Sequence, residues 1–150
     1  MKTVSESTWT FQMIIFFILI FACFLTLVLS YNKAYTIKNR MLNIIEKYEG
    51  VTPTSAELIN DYIYNKGYTN TGKCPENWMG AINIDGEFEL SKSDNRYLYC
   101  FKKNYKNNLV YYDVKVFFRF NLPVIGSIAN YEIDGTTKTF IGAEDQIEEY

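Results

Sequence analysis

From Phe11 to Leu29 the chain reads FQMIIFFILIFACFLTLVL, nineteen residues without a charge, interrupted only by Gln12 and Thr26. As a helix rising about 1.5 Å per residue this run covers ~28 Å, close to the ~30 Å hydrocarbon core of a bilayer. A lone span in lipid must satisfy its own backbone, which leaves the helix as its state. Beyond Ser30 the apolar positions thin out but keep a helical period. Ala34, Ile37, Met41, Ile44, Ile45 and Tyr48 recur every three or four residues, while Lys38, Asn39, Arg40, Asn43, Glu46 and Lys47 fill the other side. The pattern predicts one helix from about Thr8 to Glu49, roughly 60 Å long, apolar all round in its first half and one-sided in its second. Gly50 is the expected stop, with Pro53 beyond it.

A second helix is expected after Thr54-Ser55-Ala56-Glu57, which has the spacing of a capping box. Leu58, Ile59, Tyr62 and Ile63 would form its apolar side and Gly67 its end. From Gly80 the period changes to two. Ala81, Ile82 and Ile84 lead through Asp85-Gly86, a tight-turn dipeptide, into Glu87-Phe88-Glu89-Leu90, a hairpin pattern. Strands follow over Arg96 to Lys103 and Leu109 to Phe120, joined by a polar turn from Asn104 to Asn108. In the longer strand Val110, Tyr112, Val114, Val116, Phe118 and Phe120 point one way, and Tyr111, Asp113, Lys115, Phe117 and Arg119 the other. Leu122-Pro123-Val124-Ile125-Gly126 breaks that strand. Tyr131 to Ile133 and Thr136 to Ile141 flank Asp134-Gly135 as a last strand or hairpin, so that Gly126 and Gly135 read as turn residues.

The predicted class is α+β: a long N-terminal helix, transmembrane and then amphipathic, a short second helix, and an antiparallel sheet of four or five strands. Residues 1–8 are a short tail, 9–30 the span, 31–50 its amphipathic continuation, 51–143 the head and 144–150 an acidic tail. The stripe of Ile37, Met41, Ile44 and Ile45 is expected to pack on the sheet face of Val114, Val116 and Phe118. Phe16, Phe17 and Phe21 are the expected knobs for packing against neighbouring apolar helices.

Composition narrows the chemistry. The chain has 150 residues, a net charge of −2 and no histidine. Near-balanced charge offers no basic footprint for nucleic acid. Without histidine no Ser-His or Cys-His pair and no His-containing zinc site can be assembled. We therefore expect neither an enzyme nor a cofactor, metal or small-molecule substrate. Asp85, Glu87, Glu89 and Asp94 do not have calcium-loop spacing and read as solvated residues. Tyr97, Tyr99, Tyr105, Tyr111 and Tyr112 suit either a binding surface or the covering of a sheet, and packing is the commoner use. Cys23 lies within the span, a small apolar residue there. Cys74 and Cys100, in the head, suggest a disulfide, with two buried thiols as the alternative.

Two questions stay open in the sequence. A cleaved leader competes with a retained anchor, because Val28-Leu29-Ser30 resembles a cleavage site; the apolar run is longer than the ~7–15 residues of a leader. Trp9 and Tyr31 stand where interfacial aromatics belong. Orientation is also contested. Lys33, Lys38, Arg40 and Lys47 follow the span and by the positive-inside count place the head in the cytoplasm, whereas the cysteine pair and the tyrosine-rich head place it outside. We favour outside.

The layout resembles the type IV pilin-like class of surface proteins, in which an apolar half-helix anchors and its amphipathic half packs on an antiparallel sheet. The stretch VKVFFRFNLPVIGSIANYEIDGTTKTF resembles the strand, proline-glycine break and strand of TadE-like minor pilus proteins of Gram-positive bacteria. The resemblance implies a membrane-anchored filament or assembly component, with the bilayer and other pilin-like subunits as partners. Prepilins carry a Glu five positions into the mature chain, directly bordering the apolar run. Here Glu6 is the sole acidic residue before the span, and Ser7-Thr8-Trp9-Thr10 separates it from that run. The alternative is a single-pass protein whose extracellular domain binds a ligand or partner without forming filaments.

Overall fold

The computed structural model describes residues 2–82, 88–92, 95–122 and 126–141, with side chains placed for 8–82, 88–92, 95–119 and 130–141. Two helices, α1 (Lys2–Lys47) and α2 (Pro53–Asn65), precede five strands: β1 (Met79–Ala81), β2 (Phe88–Leu90), β3 (Tyr99–Lys106), β4 (Leu109–Leu122) and β5 (Gly126–Thr136). All strand pairs are antiparallel, in the order β2-β1-β3-β4-β5. The α+β expectation holds.

Helix α1 starts at Lys2, so residues 2–8 extend the helix where the sequence suggested a tail. It contains neither proline nor glycine and is unbroken. Its end, at Lys47, lies two residues earlier than expected. Glu49 takes the left-handed turn (φ 54°) and the Gly50 amide donates to the Ile45 carbonyl at 3.0 Å, closing the last turn.

The cap of α2 is shifted by two residues. Thr52 is the N-cap: its hydroxyl accepts from the Ser55 amide, while the Ser55 hydroxyl accepts from the Thr52 amide at 2.8 Å. Proline is the reason. Pro53 is suited to the first helical position, where a missing N–H costs nothing, and it holds Thr52 extended. The proposed Thr54/Glu57 box is therefore not formed. The helix ends as expected: Gly67 sits at φ +56°, and the Tyr68 and Gly67 amides donate to Ile63 and Tyr64. The apolar face differs from the expectation. Leu58 is exposed, and Asn60 is buried because its side chain accepts from the Tyr99 hydroxyl at 3.0 Å.

Strand β3 runs on to Lys106, and the turn to β4 shrinks to Asn107-Asn108. Both asparagines have positive φ (51° and 60°), the conformation of the two-residue turn whose twist matches a hairpin. The β1–β2 hairpin is present, with Ala81 opposite Phe88; Asp85-Gly86 lies outside the described residues. Strand β5 passes straight through Asp134-Gly135, which is no turn. Gly135 pairs with Val114 where α1 crosses: a Cβ there would come within 2.9 Å of Leu42 Cδ1.

The main core lies between the sheet and the helices. Ala34, Ile37, Met41, Ile44 and Ile45 of α1, with Ile59 and Ile63 of α2, meet Tyr99, Phe101, Val110, Tyr112, Val114, Val116 and Phe118. The expected seam between the α1 stripe and Val114, Val116 and Phe118 is thus the centre of the head.

Candidate functional site

The part of the molecule with a surface to offer is α1 and its junction with the head. From Thr8 to Ser30 the helix touches little of the described chain. Phe16, Phe17 and Phe21 are 62%, 70% and 55% exposed. About 23 residues of free helix make ~34 Å, enough to cross a bilayer. One of its two polar interruptions is internally satisfied: the Thr26 hydroxyl donates to the Ala22 carbonyl at 2.9 Å. Trp9 stands exposed near one end of this apolar surface. At the other end Tyr31 stacks on Tyr35 and meets Phe118 edge-on, and Phe118 stacks on Tyr131. Aromatic rings therefore mark the level at which helix meets sheet, as they do at membrane interfaces.

Of the basic residues after the span, Lys33, Lys38 and Arg40 reach residues of the head, and Lys47 reaches its chain neighbour. Lys33 Nζ donates to the Gly67 carbonyl at 2.8 Å. Lys38 lies over the Tyr35 ring with its stem against Gly135, Arg40 over Tyr62, and Lys47 over Tyr48. Lys38, Asn39 and Glu46, expected on the polar face, are half-buried; Glu46 Oε1 accepts from the Lys138 amide at 2.9 Å.

A second, smaller core covers the opposite face of the sheet. Cys74 and Cys100 are joined as a disulfide across a Cα–Cα distance of 5.7 Å. Tyr97, Cys100 and Phe117 are buried there against Trp78 and Ile82. The segment after α2 forms the cover. Gly72 pairs with Tyr97, and its missing side chain is what admits the Phe117 ring: a Cβ at Gly72 would lie 2.2 Å from it. Tyr68 pins this segment to β4, because its buried hydroxyl donates to the Phe117 carbonyl and accepts from the Phe117 amide. Burial pushes the Tyr68 phenol well above its ordinary range, partly offset by the bond to Phe117. Burial likewise raises Tyr99. Both are therefore structural hydrogen-bonding groups that stay neutral.

Of the residues considered for chemistry, Glu89 is described: Asn95, Lys92 and Tyr97 donate to its carboxylate, in that order of effect, and hold its pKa below the ordinary value. Asp85, Glu87 and Asp94 lie outside the described residues. Among the described residues no group of three or more Cys, Asp or Glu could hold a metal. The tyrosines divide: Tyr97, Tyr99 and Tyr112 are buried and Tyr105 is exposed. On the outer face Lys115 bridges Glu132 (2.8 Å) and Asp134 (3.3 Å) beside the Trp78 ring. Burial lowers its pKa, but the hydrogen bonds and charges of the two carboxylates outweigh that and leave it raised. The side chain of Glu6 is not among those described. Sequence reading missed the Tyr68 bridge, the Asn60–Tyr99 pair and the second core; Phe117, apolar among the outward positions of β4, and the expected Cys74–Cys100 bond pointed to the last. Comparison with protein-family models, curated proteins and solved structures finds no match.

Proposed function

We propose that the chain is a single-pass membrane protein serving as a pilin-like structural or assembly component of a surface filament, with its head outside the membrane. One observation carries the reading: a single unbroken helix is bare and apolar over its first half and forms the core of an α+β head over its second. Phe16, Phe17 and Phe21 leave a surface that only lipid or other apolar helices can cover. Position is passed rigidly from that surface to the head. Glu6 is the one acidic residue placed to pair with a neighbouring subunit near the start of the span.

The disulfide supports a head in an oxidising compartment. The charge count of Lys33, Lys38, Arg40 and Lys47 points the other way, and the disulfide outweighs it because a bonded cysteine pair persists in oxidising compartments. The test is to shear intact cells and probe the released fibres for the chain through a C-terminal tag. A filament component is in that fraction, and Phe17→Ala with Phe21→Ala removes it while leaving the head folded. A chain found only in membranes would be the binding ectodomain instead. Protection of the head from protease added to intact cells would reverse the orientation.

A further inference from the structure

Between the start of the amphipathic half of α1 and the C-terminal end of α2 lies an open cleft of about 210 Å³, lined by Asn32, Lys33, Thr36, Ile37, Tyr62 and Lys66. We propose that it binds the headgroup phosphate of an anionic phospholipid. The inference rests on α1 being a membrane anchor, and not on any filament.

Level comes first. Lys33 follows Leu29, the end of the apolar run, by four residues, or about 6 Å along the helix. The headgroup layer on each side of a bilayer is ~5–8 Å thick, so Lys33 emerges within it. The Lys33–Gly67 bond at 2.8 Å holds the end of α2, and with it Lys66, beside Lys33.

Charge comes second. The segments that line the cleft, Asn32 to Ile37 and Tyr62 to Lys66, hold no Asp or Glu; Asp61, beside Tyr62 on α2, forms no ion pair with either lysine among the described residues. Neither Lys33 nor Lys66 pairs with a carboxylate among the described residues. The carbonyl end of α2 contributes roughly −0.5 charge, which two ammonium groups exceed by about 1.5. The cleft is therefore cationic after its helix end has been neutralised.

Donors come third. Lys33 spends one of three N–H groups on Gly67 and keeps two. Lys66 lies 5.6 Å from the centre of the Tyr62 ring, a contact that uses its charge and spends no hydrogen-bond donor. The Thr36 hydroxyl already donates to the Asn32 carbonyl at 2.8 Å, so it only accepts. Lys33, Lys66 and the Asn32 amide are left as donors to a phosphate diester. Buried Ile37 forms an apolar floor.

The test uses the full chain in maltoside micelles, titrated with phosphatidylglycerol, with phosphatidylcholine, and with inorganic phosphate as competitor; bound lipid is counted by native mass spectrometry. Each headgroup-level lysine contributes about fivefold in affinity. Phosphatidylglycerol should therefore bind at least about fivefold more tightly than phosphatidylcholine. Lys66→Gln should weaken it about fivefold, and Lys33→Gln with Lys66→Gln about 30-fold. Lys47→Gln, the same loss of charge at the far end of α1, should leave it unchanged. Should Lys33→Gln fail to fold, Lys66→Gln decides alone. Equal binding of the two lipids, or an equal loss in the Lys47 variant, overturns the proposal. Displacement by inorganic phosphate at concentrations matching the lipid would assign the cleft to a soluble anion and overturn the lipid. Carbonate extraction of membranes reports on the anchor separately. A released chain ends the anchored reading and the cleft proposal together, whereas a retained chain without lipid preference ends the cleft proposal alone.

Discussion

Ile44→Ala is the sharpest test of how anchor and head are joined. Ile44 is 4% exposed and packs in the core that contains Val114, Val116 and Phe118. The substitution removes three carbons; at ~0.8 kcal/mol each the lost transfer energy is about 2.4 kcal/mol. The cavity left behind raises the expected cost to roughly 2–5 kcal/mol, because a site between a helix and a sheet collapses only partly. A domain of this size has only about 5–15 kcal/mol in total, so the melting temperature should fall by more than about 10 °C. The control is Asn43→Ala, one position earlier and exposed, with an expected change within about 0.5 kcal/mol. Lys38 is no control, since its stem lies against Gly135. Near-ultraviolet circular dichroism of the full chain in micelles follows the buried tyrosines. If the two variants differ by less than about 0.5 kcal/mol, the stripe is not core, and the rigid junction fails.

Thiol alkylation without reductant should label Cys23 alone, and reduction should cost the head roughly 3–4 kcal/mol by releasing the loop between Cys74 and Cys100; labelling of all three cysteines in the native chain would remove the second core's covalent tie. Tyr68→Phe leaves the Phe117 amide and carbonyl without their buried partner and should cost about 1–3 kcal/mol in a denaturant melt, while Tyr64→Phe, exposed on α2, should cost nothing measurable. Glu89 has a folded pKa below its unfolded value, so its contribution is present above the ordinary carboxylate pKa and is lost as pH falls through the folded value. The stability gap between the parent and Glu89→Gln should therefore close as the pH falls through and below the ordinary carboxylate range; a gap that widens on acidification contradicts the three-donor arrangement.

The sequence made the helices and the main seam legible because both rest on periodicity. Nothing but a helix buries Ala34, Ile37, Met41, Ile44 and Ile45 together, and alternation alone selects Val114, Val116 and Phe118. The errors arose where one residue outranked a pattern. Pro53 moved the cap of α2 to Thr52, and Ser55 replaced Glu57 as its reciprocal partner. Asp134-Gly135 reads as a turn locally, but Gly135 is small because Leu42 and Lys38 of α1 cross there, a relation some 95 positions away in sequence. The second core was harder still. Phe117 and Cys100 face outward on their strands, and only the segment from Tyr68 to Trp78 folding back over them makes that face an interior. The cleft beside Lys33 depends on Lys33 meeting the end of α2, which no local pattern encodes.

The direction of β4 explains why the head cannot tilt freely on the apolar half of α1. Gly135, opposite Val114, lies against Lys38 and Leu42, whereas Phe118 lies against Tyr31. Strand β4 therefore runs back toward the span while α1 runs away from it, and the Leu122/Gly126 end of the sheet is the end nearest the apolar half of α1. Contacts between helix and sheet spread from Tyr31 to Ile45, about 21 Å of helix, and a lever of that length has no single pivot. Ile37, Met41, Ile44 and Ile45, at ~1.5–3 kcal/mol each, place roughly 6–12 kcal/mol of gross burial on this seam. That is as large as the net stability of a whole small domain, so the helix cannot leave the sheet without unfolding the head. With α2 held to α1 at Lys33, the depth and rotation of the bare half of the helix set where every surface of the head faces.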